Sequence, residues 1–137
     1  MKRYIIDTNA LISYVTDRNP AQQQTVAPIF EAAAHLKARI ICLQHVLTEF
    51  IYVMEKIYSL PKGQISNMAL DFIQMPGVEI VHEVNLKSAL SYWPDPIRDF
   101  GDALVAALAK REKNAIIVTF DQGFAAGLKK LGIKTSF

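Results

Sequence analysis

Short apolar runs alternate along this chain with longer stretches in which apolar residues recur every three or four positions. The runs are rich in isoleucine and valine and are typical of buried strands; they cover residues 4–6, 39–43, 78–81 and 115–119. The longer stretches have the spacing of helices; they cover residues 8–15, 21–36, 46–58, 64–74, 86–93, 103–109 and 124–131. Strands that alternate with helices predict a mainly parallel sheet.

The C-terminal residues 133–137 predict one further strand at the sheet edge, after a helix that Gly132 caps. We therefore expect an α/β fold with about five short strands and helices on both faces of the sheet. The chain of 137 residues fits one domain of ordinary size. A single domain over residues 1–137, without linkers, is the expected organisation.

Composition narrows the possible partners. The formal net charge of +2 excludes a strongly basic protein that coats nucleic acid nonspecifically. Two basic clusters at helix ends are interpreted first as charges that complement helix dipoles, with phosphate contact as the alternative; they are Lys110, Arg111 and Lys113, and Lys129, Lys130 and Lys134. Hydrophobic residues make up 51% of the chain, so some apolar surface is expected to face a partner.

The cellular compartment is predicted from what the sequence lacks. Cys42 is the only cysteine and lies in an apolar run, so it cannot form an internal disulfide and is interpreted as a small buried residue. No signal-peptide core follows Lys2 and Arg3, and no segment has the ~20 apolar residues that cross a membrane. We expect a cytoplasmic protein with no membrane contact.

Four carboxylates lie where a strand ends or the following helix begins: Asp7, Glu49, Asp102 and Asp121. Ligands of open α/β sheets bind beyond the carboxyl ends of the parallel strands, so acids at these positions can converge. Clustered carboxylates repel one another unless a cation neutralises them. The pattern predicts one site for a divalent ion that assists hydrolysis, with the acids as ligands.

Each acid also has a purely structural interpretation. Asp7, Asp99 and Asp121 precede helical patterns and fit as N-caps, and Asp102 follows Asp99 as in a capping box. Glu49 alone is typical of a solvated helix face. The functional interpretation depends on the joint placement of the four acids, because independent capping does not predict that all of them fall at one edge of one sheet.

Other chemistries lack their motifs. His35, His45 and His82 are scattered without zinc spacing, and no glycine-rich phosphate loop is present. A haloacid dehalogenase type phosphotransferase would need an Asp at the position of Asn9. A receiver domain would need an acid pair after its first strand and an acceptor Asp after its third, which Glu79 does not fit.

Taken together, the motif residues resemble the PIN domain family. They are Tyr4-Ile5-Ile6-Asp7-Thr8-Asn9, Glu49, Gly101-Asp102-Ala103-Leu104 and Val118-Thr119-Phe120-Asp121-Gln122-Gly123-Phe124. The resemblance covers essentially the whole chain. It implies a three-layer α/β/α sandwich whose acids bind Mg²⁺ or Mn²⁺ and cleave RNA phosphodiester bonds.

The resemblance also implies roles for single residues. Asp7 and Asp102 match the principal metal ligands, and Glu49 and Asp121 complete the acidic pocket directly or through water. Asn9 and Thr119 match polar positions that orient the site. Asp99 is an additional acid, interpreted as an N-cap first and a ligand second.

The compact size is similar to that of the virulence-associated protein C toxins of type II toxin-antitoxin pairs. This implies a cognate antitoxin that covers or distorts the acidic pocket, and a homodimer formed through apolar helix surface. Two alternatives stay open: a PIN nuclease that processes RNA without an antitoxin, and a noncatalytic PIN-like binding module.

Overall fold

Four parallel strands form the sheet in a computed structural model that describes residues 1–137. The strands are β1 (Lys2–Ile6), β2 (Ala38–Leu43), β3 (Val78–Val81) and β4 (Ile116–Val118). Their order in the sheet is β3-β2-β1-β4, so β1 and β2 are the two central strands. Each apolar run that the sequence pattern indicated therefore forms a strand of the sheet.

Seven helices flank the sheet. They are α1 (Thr8–Val15), α2 (Pro20–Ala34), α3 (Gln44–Lys56), α4 (Lys62–Ile73), α5 (Leu86–Tyr92), α6 (Phe100–Arg111) and α7 (Gln122–Lys130). Helix follows strand at β1–α1, β2–α3, β3–α5 and β4–α7. The α/β class and the parallel sheet that the sequence predicted are confirmed.

The predicted closing strand at residues 133–137 does not form. This segment makes one isolated parallel bridge, between Thr135 and Ile117, in which Ile117 donates to Lys134 O and accepts from Ser136 N at 3.0 Å each. The strand β4 has only three residues, and this bridge involves one of them. The sheet therefore has four strands where about five were expected.

The core lies between the central strands and the helices. Ile5 and Ile6 of β1 and Ile40 and Ile41 of β2 are completely buried. Helix α6 is buried along most of its length, as its continuous apolar sequence predicted. Burial also raises the pKa of the Cys42 thiol to about 12, which keeps it protonated as a small apolar side chain. No helix combines the length and the hydropathy needed to cross a lipid bilayer.

Parallel register brings two polar residues together at the carboxyl edge of the sheet. Ile6 of β1 is paired with Val118 of β4, and both strands end at these residues. The next residues along the two strands are Asp7 and Thr119, which are both buried. The site described below starts from this pair.

Gly77, in the turn before β3, is the glycine whose Cβ would lie closest to other backbone atoms. A Cβ there would clash with the backbone of Ala33 and would lie 2.7 Å from the carbonyl oxygen of Ala38. We expect Gly77→Ala to lower the free energy of unfolding by about 1–3 kcal/mol, because backbone atoms must move to admit the methyl group. Urea unfolding followed by circular dichroism measures the change.

Gly63→Ala is the matched control, because a Cβ at Gly63 in α4 would meet no heavy atom within 4 Å. This variant should be as stable as the wild type or more stable by up to about 1 kcal/mol, since alanine is the better helix former. Equal stability of the two variants would contradict the close backbone approach at Gly77.

Candidate active site

Asp7 is the most buried of the four predicted acids, with 5% of its surface exposed. Its backbone N–H donates to Val118 O at 3.0 Å, so β1 and β4 stay paired up to the residue that carries the carboxylate. Its Oδ1 accepts the backbone N–H of Thr8 at 2.9 Å, which makes Asp7 the N-cap of α1. The carboxylate is therefore fixed in orientation by the strand before it and the helix after it.

Asn9 and Thr119 hold the second carboxylate oxygen of Asp7. The Thr119 hydroxyl donates to Oδ2 at 2.8 Å, and the Asn9 amide donates to the same oxygen at 3.0 Å. Asn9 also accepts the backbone N–H of Phe120 at 2.8 Å, and Thr119 Oγ1 accepts that of Asp121 at 3.1 Å. This network connects α1 to the segment after β4 and fixes where α7 begins.

Asp99 and Asp102 lie at the beginning of α6. Asp99 is exposed, and its Oδ1 accepts the backbone N–H of Asp102 at 3.0 Å. It is therefore the N-cap of α6, as the sequence predicted. Asp102 is half-buried in the first turn. Its carboxylate is not used for capping and remains available to a ligand.

Asp121 and Glu49 are the two exposed acids of the set. Asp121 caps α7 by accepting the Phe124 N–H at 3.0 Å. Glu49 lies on α3, one turn after His45, whose Nε2 is 4.0 Å from a Glu49 carboxylate oxygen. Both acids therefore keep carboxylate oxygens open to solvent, as a site that admits a substrate requires.

The structure brings the four acids within electrostatic reach of one another. Burial raises the pKa of Asp7 to about 6; hydrogen bonds from Thr119 and Thr8 oppose the rise, and the charges of Glu49 and Asp121 add to it. The pKa of Asp102 rises to about 8, first because its carboxyl is buried and then because other carboxylates are near: Asp7, Asp99, Asp121 and Glu49. The convergence of charge at this edge is unfavourable without a neutralising cation.

The arrangement fits a hydrated divalent ion better than a closed metal cage. No group of three or more His, Cys, Asp or Glu side chains is close enough to hold one ion directly. Mg²⁺ is usually held by one or two carboxylates and keeps several of its waters, so it does not need a third protein ligand. A half-buried and a buried carboxylate, with exposed acids beside them, match that mode of binding.

His45, the second residue of α3, also lies near the acidic set. Its Nε2 is buried without a hydrogen-bond partner and lies against Gly101, where a Cβ would clash with it and would be 3.1 Å from Asp99 Oδ1. The signal that sequence reasoning passed over is the four-residue spacing of His45 and Glu49 on one helix. Absence of a side chain at Gly101 leaves room for the imidazole beside this site.

The raised pKa values of Asp7 and Asp102 predict how the stability of the metal-free protein depends on pH. Both carboxyls have an ordinary value of 3.8, so between about pH 4 and pH 8 the folded protein binds more protons than the unfolded chain. Stability must therefore fall as pH rises through this window. We expect the midpoint of urea unfolding, measured with EDTA present, to decrease from pH 5 towards the pKa of Asp102.

Substitution separates the contributions of the two carboxyls. Asp102→Asn should remove the decrease above about pH 6, which comes from Asp102 alone, and make the decrease below pH 6 shallower, because only the contribution of Asp7 remains there. Asp71→Asn, at an exposed carboxylate of α4, is the control and should keep the wild-type profile. A pH profile of Asp102→Asn identical to that of the wild type would contradict the raised pKa of Asp102.

Solved structures with low sequence identity share this fold. A chain from the crystal structure of VapBC2 from Rickettsia felis, bound to a DNA fragment from its promoter, superposes with a TM-score of 0.68 at 20% identity, over 98% of this chain and 97% of that chain. PAE2754 from Pyrobaculum aerophilum gives a TM-score of 0.61 at 16% identity, over 95% and 93% of the two chains. The PIN domain endonuclease Utp24 gives 0.55 at 18% identity, over 96% and 80%.

Family membership depends on sequence as well as on fold. Among curated proteins, none matches this chain. The sequence profile described as PIN domain matches residues 4–127, which include every acid discussed above and nearly the whole chain. The chain belongs to the PIN domain family.

Proposed function

We propose that this chain is a divalent-metal-dependent endoribonuclease, which hydrolyses RNA phosphodiester bonds as the toxin of a type II toxin-antitoxin pair. PIN domains are generally nucleases, and this chain keeps the acids that such chemistry needs. The observation that carries the proposal is the proximity of two carboxyls whose pKa values are both raised: Asp7 lies near enough to raise the pKa of Asp102, at a cost to the metal-free fold. Carboxylates that served only as helix caps would not need to converge.

Each residue of the site has a proposed role. Asp7 and Asp102 would hold the ion, and Glu49 and Asp121 would complete the pocket through water. Asn9 and Thr119 orient the Asp7 carboxylate, which their hydrogen bonds at 2.8–3.0 Å support. A bound Mg²⁺ or Mn²⁺ supplies activation of a water and neutralisation of phosphate charge. The site is exposed to solvent on the side of Glu49 and Asp121, and RNA can approach from that side.

The toxin assignment is supported by the extent of the structural match. The chain from the VapBC2 complex is covered almost completely, whereas Utp24 has additional length. An antitoxin must cover or distort the acidic pocket, and carboxylates without a neutralising charge attract a basic side chain of such a partner. The protein would act in the cytoplasm, where RNA is present and the buried Cys42 thiol stays reduced.

A homodimer is part of the proposal. Leu86, Leu90 and Trp93 lie one turn apart at and beyond α5 and are 58%, 52% and 41% exposed. Large apolar side chains on one helical face are typical of surfaces that a partner covers. We propose that α5 contributes to contact between two copies of the chain.

Titration of Mn²⁺ tests the metal site without knowledge of the RNA target. Isothermal calorimetry of antitoxin-free protein should show saturable binding, which Asp7→Asn and Asp102→Asn each abolish because each removes a charged ligand. Asp71→Asn should bind Mn²⁺ as the wild type does. Absence of saturable binding by folded wild type would reject the preformed site and favour the noncatalytic binding module.

Cleavage of RNA tests the proposed roles. Asp7→Asn and Asp102→Asn should reduce the rate of RNA cleavage by about a thousandfold or more while the protein remains folded, since metal-ion chemistry contributes several kcal/mol to the barrier. Asp99→Asn should keep nearly normal activity, because asparagine also caps a helix. Gel analysis of labelled RNA measures both. Wild-type cleavage by Asp7→Asn would remove Asp7 from the mechanism.

A further inference from the structure

A polar cleft adjoins the acidic site on the side of Asn9 and Asp121. Its volume is about 400 Å³, and its lining consists of Asn9, Arg18, Asn19, Gln22, Phe120 and Asp121. Asn9 and Asp121 belong to both the cleft and the acidic site, so a ligand in the cleft lies directly beside the acids. The other four lining residues have no role in the function proposed above.

Arg18 is fixed at this cleft without a carboxylate partner. Its Nη2 donates to Asn9 O at 2.8 Å, and its Nε and Nη2 donate to Ser13 Oγ at 3.1 and 2.9 Å. None of the ion pairs in the chain involves Arg18. The guanidinium is thus held in place by neutral oxygens, and its full positive charge and its Nη1 group remain available to an anion.

Ser13 also determines the orientation of Gln22. This serine is completely buried, and its oxygen accepts the N–H groups of Arg18, so its single hydroxyl proton is donated to Gln22 Oε1 at 2.7 Å. With Oε1 used in this way, the Nε2 group of Gln22 has no partner within the protein. The buried serine therefore presents two sets of free donors, one on Arg18 and one on Gln22, to the same cleft.

The chemistry of the cleft matches a phosphate of nucleic acid. A planar guanidinium and a neighbouring amide donor bind phosphate oxygens well. The cleft also contains Asn19, the N-cap of the 15-residue helix α2, whose positive dipole end favours an anion there. Phe120 adds an aromatic ring, which stacks on Phe137 with centroids 4.9 Å apart and supplies the apolar surface that unpaired bases contact.

We propose that this cleft binds the nucleotide of a single-stranded RNA next to the one that is cleaved, with Arg18 and Gln22 on its phosphate and Phe120 against its base. The inference rests on the proposed nuclease function and names a substrate subsite for it. Duplex RNA keeps its bases stacked and cannot offer one to Phe120. The cleft therefore selects an unpaired strand.

Binding of RNA tests the subsite independently of cleavage. Asp7→Asn protein serves as the parent, and its affinity for a fluorescein-labelled single-stranded RNA is measured by fluorescence anisotropy with Mg²⁺ present. Adding Arg18→Gln should weaken the affinity about tenfold or more, because a charge-assisted contact is lost. It should also reduce the slope of log affinity against log salt concentration by about 0.7, as expected for one phosphate contact on a single strand.

Further variants separate binding from folding. Gln22→Glu keeps an oxygen acceptor for Ser13 but places a negative charge where the phosphate would lie, so it should weaken binding as well. Arg18→Lys should restore part of the affinity. Arg39→Gln is the control: it also removes one positive charge, but near the amino end of β2, whereas the cleft lies at the carboxyl ends of the strands. It should leave the affinity unchanged.

The outcomes distinguish this inference from the proposed function. If wild-type protein cleaves no RNA but affinity still depends on Arg18, the nuclease proposal fails and the cleft stands only as a binding site for single-stranded RNA. If wild-type protein cleaves RNA and the folded Arg18→Gln and Gln22→Glu variants bind as the parent does, the subsite is rejected. Failure of the parent to bind single-stranded RNA, or tighter binding of a duplex, also rejects it.

Discussion

A carboxylate buried at the end of a central strand is the constraint on which the rest of the site depends. Asp7 can remain there because Thr8, Asn9 and Thr119 donate hydrogen bonds to it, which partly replaces the water it has lost. Two of these donors come from α1 and one from the segment after β4. The parallel pairing of β1 with β4 and the start of α1 are therefore requirements of one buried anion as much as of the apolar core.

The acids that the proposed function requires lower the stability of the metal-free fold. Burial raises the pKa of Asp7 and that of Asp102, and the neighbouring carboxylates add to the rise, so the metal-free fold carries unfavourable charge at one edge. The apolar strands and the buried face of α6 offset this cost without adding polar groups of their own. The hydrophobic core stabilises these residues from one side of the sheet edge, and the proposed cation or basic partner would stabilise them from the other.

Periodicity predicted the elements well, because each strand and helix is specified by its own residues. The α1 boundaries at Thr8 and Val15 and the four strand positions follow directly from local pattern. Residues 133–137 have a strand-like sequence, but a strand also needs a partner, and here only Ile117 of β4 forms a bridge with the segment. The position of His45 depends on contact with Gly101 in another helix, and no local pattern around His45 contains that partner. Arg18 is held by Ser13 and Asn9 through side-chain hydrogen bonds, which hydrophobic periodicity does not describe.

Helix α1 joins the acidic site to the polar cleft that contains Arg18. Asp7 caps its first turn, Asn9 belongs to both sites, and Ser13 in its second turn fixes Arg18 and Gln22. Successive residues of a helix are rotated by about 100°, so one residue inserted or deleted between Asp7 and Ser13 would turn the serine away from its partners. The six residues from Thr8 to Ser13 therefore fix the distance and the angle between the two sites. Substitutions between them can be tolerated, but insertions and deletions cannot.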